Sequence, residues 1–267
     1  MVSDTIKSKD RVDEFGEVFT PKHIVNDMLD LVRDKSYDID TTFLEPACGN
    51  GNFLVEILSR KLETSKKDLN NFNINVIRSL CSIYAVDIQW DNVEESKARM
   101  LAIIKDAYEN TGTVINNNLL KTFVYIMDKN IIWGDTLSAK VIGDIHTGEK
   151  YEYNEKQIDN RPELKFTEWV LEGNLLKMTE YTLQEILHES NNAKELYEQL
   201  VLDDELFKKS SKVEHIDDLY KYILDDRIEK LESIYEQYIE SMKNAVKAKK
   251  DNKNRMVNKN KKVIKAW

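Results

Sequence analysis

Between residues 16 and 32 the apolar side chains Ile24, Val25, Met28, Leu29 and Val32 recur at helical spacing, so a helix is expected after a short loop. Pro21 stands near its start, where a missing N–H costs little. The next apolar run, 42-TFLEP-46, is short and stopped by proline, as a strand would be, and 52-NFLVEILSRKL-62 returns to the spacing of an amphipathic helix. A polar stretch through Asn75 leads to 82-SIYAVDI-88, an apolar strand ending on Asp87, and then to a helix over 91–108. One more helix precedes a third strand, 130-NIIWGD-135, which again ends on an acid. The order β-α-β-α-β is that of a parallel sheet with helical crossovers, and the fold class is α/β.

After Asp135 the pattern changes. Polar and apolar residues alternate on either side of Gly173-Asn174, which predicts a hairpin within 150–183. From Thr182 the chain reads as helical and acidic, with 216–246 as one long helix. No further strand-helix unit follows, so the sheet stops after about three parallel strands, short for a self-sufficient doubly wound domain. The expected segments are a core over 1–140, a hairpin region over 141–183, and a helical region over 184–267 with a basic tail.

Composition narrows the setting. A chain of 267 residues, 41% apolar and 33% charged with net charge −9, suits a soluble cytoplasmic protein. No apolar run approaches the roughly 20 residues that span a bilayer, and MVSDTIKSKD lacks the layout of a signal peptide, so neither membrane nor secretion is expected. Cys48 and Cys81 read as buried thiols rather than a disulfide or zinc framework, and the four histidines show no ligand spacing, so no metal is expected. Trp133 and Trp169 read as packing residues. Charge is uneven: from Lys243 onward ten basic residues face one acid, Asp251, a local net of +9 that leaves −18 for the rest. Such a tail suits phosphates or an acidic partner, and equally a solvated end.

The glycines are few, eight in all, yet 43-FLEPACGNGNFL-54 holds two of them together with a proline and a cysteine. A strand, a Gly-x-Gly turn and a helix start offer backbone N–H groups and a positive helix end to an anion. Leu54 stands where the dinucleotide fingerprint needs its third glycine, and Asn52-Phe53 replaces the Lys-Ser/Thr of a phosphate loop, so a phosphate is disfavoured. A carboxylate fits better. Ligands of such sheets bind beyond the carboxyl ends of the strands, where Glu45, Asp87 and Asp135 stand. Glu45 can accept from an ammonium group, Asp87 can hold both hydroxyls of a ribose, and Asp135 can accept from an exocyclic amine. Amino acid, ribose and adenine together describe S-adenosyl-L-methionine.

The run 45-EPACGNGNFL-54 resembles the cofactor motif of N6-adenine DNA methyltransferases of the amino-methylating class, usually Asp-Pro-Ala-x-Gly-x-Gly, with Glu45 in place of the commoner Asp. The upstream 16-GEVFTP-21 is similar to the Phe-x-Thr-Pro element of that family, Asp87 in 84-YAVDI-88 to its ribose-binding acid, and Asp135 in 133-WGDTL-137 to its adenine-binding acid. The resemblance covers roughly residues 15 to 137 and implies a partial Rossmann-like methyltransferase sheet. The cofactor-binding residues it implies are Phe19, Thr20, Pro21, Glu45, Pro46, Ala47, Gly49, Gly51, Asn52, Phe53, Asp87, Ile88, Asp135 and Thr136. The activity it implies is methyl transfer to N6 of an adenine flipped out of double-stranded DNA, as in restriction-modification systems.

That chemistry also needs acceptors for the N6 hydrogens, which the family places on an Asn/Asp-Pro-Pro-Tyr/Phe motif. The prolines here are Pro21, Pro46 and Pro162, so no Pro-Pro occurs, and 159-DNRPEL-164 is a poor imitation that reads as a surface turn. No catalytic residue is therefore assigned in this chain. The favoured expectation is a split enzyme, a heterodimer in which a second subunit carries the Pro-Pro motif and target recognition, and DNA is met through the complex. The alternatives are a non-methylating sensor or anti-restriction protein, and a stand-alone enzyme with an unrecognised motif.

Overall fold

The computed structural model describes residues 6–152, 159–186 and 211–264, with side chains described as far as Ala248. Two sheets, eight α-helices and a helical stretch at 183–186 organise these residues. The first sheet holds β1 (Phe43–Glu45), β2 (Ile83–Asp87) and β3 (Ile131–Asp135), parallel and in that spatial order, with a short antiparallel β4 (Lys140–Val141) against β3. Phe43 pairs with Ile83 and Ala85 with Ile131, so the three acidic strand ends fall on one side. The α/β class and the three parallel strands are as the hydrophobic pattern predicts.

Helix α1 (Lys9–Phe15) precedes α2 (Lys22–Asp30), and α2 buries Val25 and Leu29, one turn apart. After α3 (Arg33–Tyr37) and β1, α4 (Asn52–Ser65) buries Leu54, Ile57, Leu58 and Leu62, a stripe at helical spacing. It also buries Lys61, whose ammonium donates to the carbonyls of Asp38, Ile39 and Thr41 and to Ser82 Oγ. Burial pushes that lysine down to about 8, while Asp38 and Asp40 favour its charged form. Lys61 thus binds the loop before β1 to the start of β2. Helices α5 (Phe72–Cys81), α6 (Trp90–Thr111) and α7 (Asn117–Asn130) complete the crossovers. Trp133 is buried, and Trp169 donates from Nε1 to Asn130 Oδ1 at 2.8 Å, so both serve packing. Cys48 is a free, buried thiol, as expected.

The expected hairpin is present as β5 (Lys165–Glu172) and β6 (Leu175–Thr182) joined through Gly173-Asn174, where Gly173 takes a positive φ of 61°. The expected helix from Thr182 is present at residues 183–186, and beyond them the reading requires correction. Residues 187–210 of that reading lie outside the described residues, but Ser211–His215 is a strand, β7, antiparallel to β6. The next seven residues form a 3-10 turn with Ile216 and Leu219 buried, and the long helix α8 runs from Arg227 to Ile264 rather than from Ile216. The physical reason is the open edge of β6. A paired strand satisfies backbone groups that a helical Ser211–His215 would leave exposed on the hairpin, and this overrides the local pattern.

A continuous apolar core runs from Val25 on α2 to Leu231 on α8. Helix α8 is fastened by charge as well. Arg227 forks between Glu94 on α6 and Asp128 on α7, with Nη2 at 2.8 Å from Glu94 Oε1 and 2.7 Å from Asp128 Oδ1, and Lys97 Nζ lies 2.8 Å from the same Asp128 oxygen. All four side chains are buried. No helix among the described residues is long and apolar enough to cross a membrane.

Candidate functional site

Between β1 and α4 the chain turns through Gly49 and Gly51, both left-handed at φ 52° and 82°. A Cβ on Gly49 would stand 2.9 Å from the Phe19 ring, and one on Gly51 would stand 2.8 Å from Ser96 Cβ on α6. The glycines thus admit two neighbours, the 16–21 segment and α6. Their amides do not face a ligand: Gly49 N donates to Asp87 Oδ2 at 2.7 Å and Gly51 N to Cys48 O at 3.0 Å. The expectation that this turn cradles an anion through its glycine N–H groups is therefore corrected, because a strand-end carboxylate and a turn carbonyl take them. The start of α4, fourteen residues long, has no side-chain cap, so its first amides are not satisfied by a capping side chain.

The 16–21 segment is held against this turn. Asn52 donates from Nδ2 to Thr20 O at 2.8 Å and accepts from Arg99 Nη2 at 2.8 Å, and Arg99 also donates to Asn50 O. Pro21 precedes the first residue of α2, as the sequence places it. Between turn and segment lies a small cleft of about 90 Å³ lined by Thr20, Glu45, Asn52 and Phe53. Burial raises the Glu45 carboxyl above its ordinary range, and its oxygen accepts from Ala47 N at 3.4 Å.

Beside it opens a cavity of about 730 Å³, within the range of small-molecule sites. It gathers Phe19, Pro46, Ala47, Gly49, Asp87, Ile88, Asp135 and Thr136. Pro21 and Gly51 line neither space; one starts α2 and the other spaces α6. Thr136 is engaged within the chain, donating from Oγ1 to Pro46 O at 2.7 Å and so tying the ends of β1 and β3 together. Asp135 accepts from Leu137 N on Oδ1 at 2.9 Å, which leaves Oδ2 for a donor in the cavity. Asp87 is more committed. Its Oδ1 accepts from Gln89 N at 2.8 Å and Asn92 Nδ2 at 3.2 Å, while Oδ2 holds Gly49 N alone. A two-oxygen grip on a ribose is thereby narrowed to one further donor at Oδ2. Burial raises this carboxyl too, against the hydrogen bonds that favour its charged form.

Sequence reasoning missed several lining residues. Glu17, inside the quoted 16–21 motif, carries no role in the pattern, yet its side chain is only 7% exposed and lines the cavity with Asn92. Glu17 Oε2 receives Arg11 and, at 2.8 Å, Asn92 Nδ2, whereas Glu17 Oε1 and Asn92 Oδ1 are buried with no partner. Two unpaired acceptors at a cavity wall call for a ligand with hydroxyl or ammonium donors, since a buried acceptor left unmet costs about 1–3 kcal/mol. Lys150, Tyr151 and Arg161 close the far side. The 159–164 stretch is therefore more than the surface turn expected: Arg161, paired with Asp159 at 2.7 Å, walls the cavity, and Leu164 is fully buried.

Comparison with known proteins adds three findings. The profile of the family described as N-6 DNA Methylase matches residues 7–194. The type II methyltransferase M.VspI of Vibrio sp. (strain 343) is 31% identical over 110 residues, 41% of this chain and 21% of that protein, so the chain spans about a fifth of that relative's length. No solved structure matches.

Proposed function

The chain belongs to the N-6 DNA methylase family, and on that premise we propose that it is the donor-binding chain of a DNA adenine N6-methyltransferase of the restriction-modification type, completed by a second polypeptide. The observation that carries this reading is the single cavity in which the 16–19 segment, the glycine turn and the ends of β2 and β3 meet, two of its acceptors being buried and unpaired. S-adenosyl-L-methionine, the donor that the family implies, supplies an electrophilic methyl on a sulfonium centre. Its donor and acceptor groups fit the residues present. The uncapped start of α4 suits its carboxylate; Glu17 Oε1 and Asn92 Oδ1 suit ammonium or hydroxyl donors; Asp87 Oδ2 suits one ribose hydroxyl. Asp135 Oδ2 suits the exocyclic amine, with the half-exposed Ile88 beside the purine. What these residues contribute to rate is position: they fix the methyl group relative to an incoming base.

Acceptor groups for the adenine N6 hydrogens are the missing half. With Pro21, Pro46 and Pro162 as the prolines of the sequence, no Pro-Pro motif is at hand. The outer edge of β1 supports a second chain as its source. Phe43 N donates to Ser82 O on the β2 side, so the alternation of a parallel ladder turns the amide and carbonyl of Leu44 outward, and among the described residues β1 pairs with β2 alone. An open edge of this kind invites a further strand. Leu44 is 49% exposed, and Ile24, Met28, Leu31 and Val32 are exposed along and just after α2. This chain therefore holds the donor, and the second polypeptide brings the Pro-Pro motif and target recognition.

Two experiments test the parts separately. Titration calorimetry with S-adenosyl-L-methionine should give binding to the 267-residue chain, weakened about tenfold or more in Asp135→Ala, where a ligand donor loses its acceptor; equal affinities would show that Asp135 does not face the donor. Tritium transfer from labelled donor to duplex DNA should require this chain together with a co-purifying partner that carries a Pro-Pro motif. Full methylation by this chain alone would sink the two-chain reading.

A further inference from the structure

The chain's charge changes sign at Lys243, and the structure gives that change a shape. Residues 243–264 belong to α8, so the basic stretch extends for about six helical turns, or about 33 Å. Favourable interaction of cations with a helix's own C-terminal dipole reaches only its last turn, so most of these charges lie too far back to serve it. They also repel one another: Lys243 and Lys247, like Lys249 and Lys253, stand four residues apart, a spacing that destabilises an isolated helix. At about 100° per residue, positions 243, 247, 250 and 261 fall within about 60° of one another, a basic stripe along the helix, while the basic positions 249, 253, 255, 259 and 262 stand at other angles around it. Lys243, Val246 and Lys247 are exposed.

The place where this stripe leaves the body matters. Tyr238, less than two turns before Lys243, lies under Arg99, whose Cζ is 4.7 Å from the ring centroid. The same Arg99 donates to Asn50 O and, at 2.8 Å, to Asn52 Oδ1 in the glycine turn. The basic helix therefore departs from beside the donor site. The rest of the chain carries −18 and repels a polyanion, so this element is where one would be received.

We propose that the basic stripe of α8, from Lys243 to Lys261, lies along the phosphate backbone of duplex DNA and holds the duplex beside the donor cavity independently of its sequence. Its length of about 27 Å matches about eight phosphate spacings along one strand, and phosphate contacts position a protein on DNA without reading bases. The choice of DNA as the polyanion rests on the function proposed above; the charge and shape of the helix do not.

The test uses the full chain, and a variant in which Lys243→Gln, Lys247→Gln, Lys250→Gln and Lys261→Gln are combined. Glutamine keeps helix propensity, and circular dichroism checks that the fold is retained. Fluorescence anisotropy with two labelled duplexes of unrelated sequence, between 50 and 200 mM salt, should show the variant weakened about tenfold or more, equally on both, with the slope of log K against log salt reduced by about three to four. Duplex should also raise the helicity of the unsubstituted chain by relieving the repulsion along α8. An unchanged salt slope in the variant would overturn the proposal. So would retention on phosphatidylserine vesicles with no binding to either duplex, which would make the stripe a membrane contact. Affinity for S-adenosyl-L-methionine should be the same in both proteins; a chain that binds duplex through the stripe but takes no donor would refute the donor-site reading and leave this one standing.

Discussion

Gly51→Ala is expected to abolish measurable binding of S-adenosyl-L-methionine and to lower stability by about 2–5 kcal/mol, combining a left-handed backbone penalty with overpacking. The residue stands at φ 82°, and a methyl group there would meet Ser96 Cβ at 2.8 Å, Ser96 Oγ at 2.9 Å and Ser96 Cα at 3.0 Å. The last of these is backbone, so no rotamer change relieves the contact; α4 and α6 must move apart, and the 16–21 segment bound to Asn52 moves with them. Gly112→Ala is the control. That glycine has a similar φ of 67° and open space around its missing Cβ, so its substitution carries the backbone penalty alone, about 1–2 kcal/mol. Urea denaturation of both variants, with calorimetric titration of the donor, separates the two effects. Equal losses would mean that the approach of α6 to the turn contributes nothing.

Arg227→Met is expected to cost about 3–5 kcal/mol, the usual penalty for removing one partner from a buried ion pair. Methionine keeps the apolar volume, but Glu94, 1% exposed, and Asp128, 8% exposed, are left to share Lys97, which is 2.8 Å from Asp128 and 3.9 Å from Glu94. The pH dependence gives an independent reading. Burial alone would raise the Asp128 carboxyl; the neighbouring Lys97 and Arg227 outweigh it and bring it to about 2, below its ordinary 3.8. A carboxyl lowered by folding contributes stability that is present in full above its unfolded value near 4 and is lost as pH falls through about 2. In the variant this carboxyl rises, so acid unfolding should begin at higher pH. Thermal melts between pH 2 and 7 that coincide for the two proteins would exclude that role for Arg227.

Much of the fold was legible because its signals are local. Three apolar runs ending on Glu45, Asp87 and Asp135, separated by amphipathic helices, fix a parallel sheet and put its acids on one side. The Gly173-Asn174 hairpin was legible for the same reason. What escaped depends on partners remote in sequence. β7 exists because β6 offers an edge, and nothing within 211–215 announces that edge. Glu17 and Asn92 lie 75 residues apart and acquire their role only when α1, α6 and the 16–21 segment meet. Asp87 was expected to face a ligand with both oxygens, but Gln89 N and Asn92 Nδ2 fill its Oδ1 and the glycine turn takes one acceptor position on Oδ2. Carboxylates at strand ends are readable from sequence; how many of their lone pairs remain after folding is not.

The Arg227 fork also sets a timetable. Arg227 follows Glu94 by 133 residues and Asp128 by 99, so during synthesis both carboxylates emerge well before their cation. At about 5–20 residues per second, Glu94 waits roughly 7–27 seconds for Arg227 to be made. Through that interval α6 and α7 cannot bury these acids without leaving them short of charge compensation, and the favourable course is to keep them in water. The cavity beside the glycine turn, whose wall includes Asn92 at the head of α6, is therefore among the last parts of the chain to mature. Ribosome-bound intermediates that end before Arg227 would hold the glycine-turn motif but not yet the finished cavity.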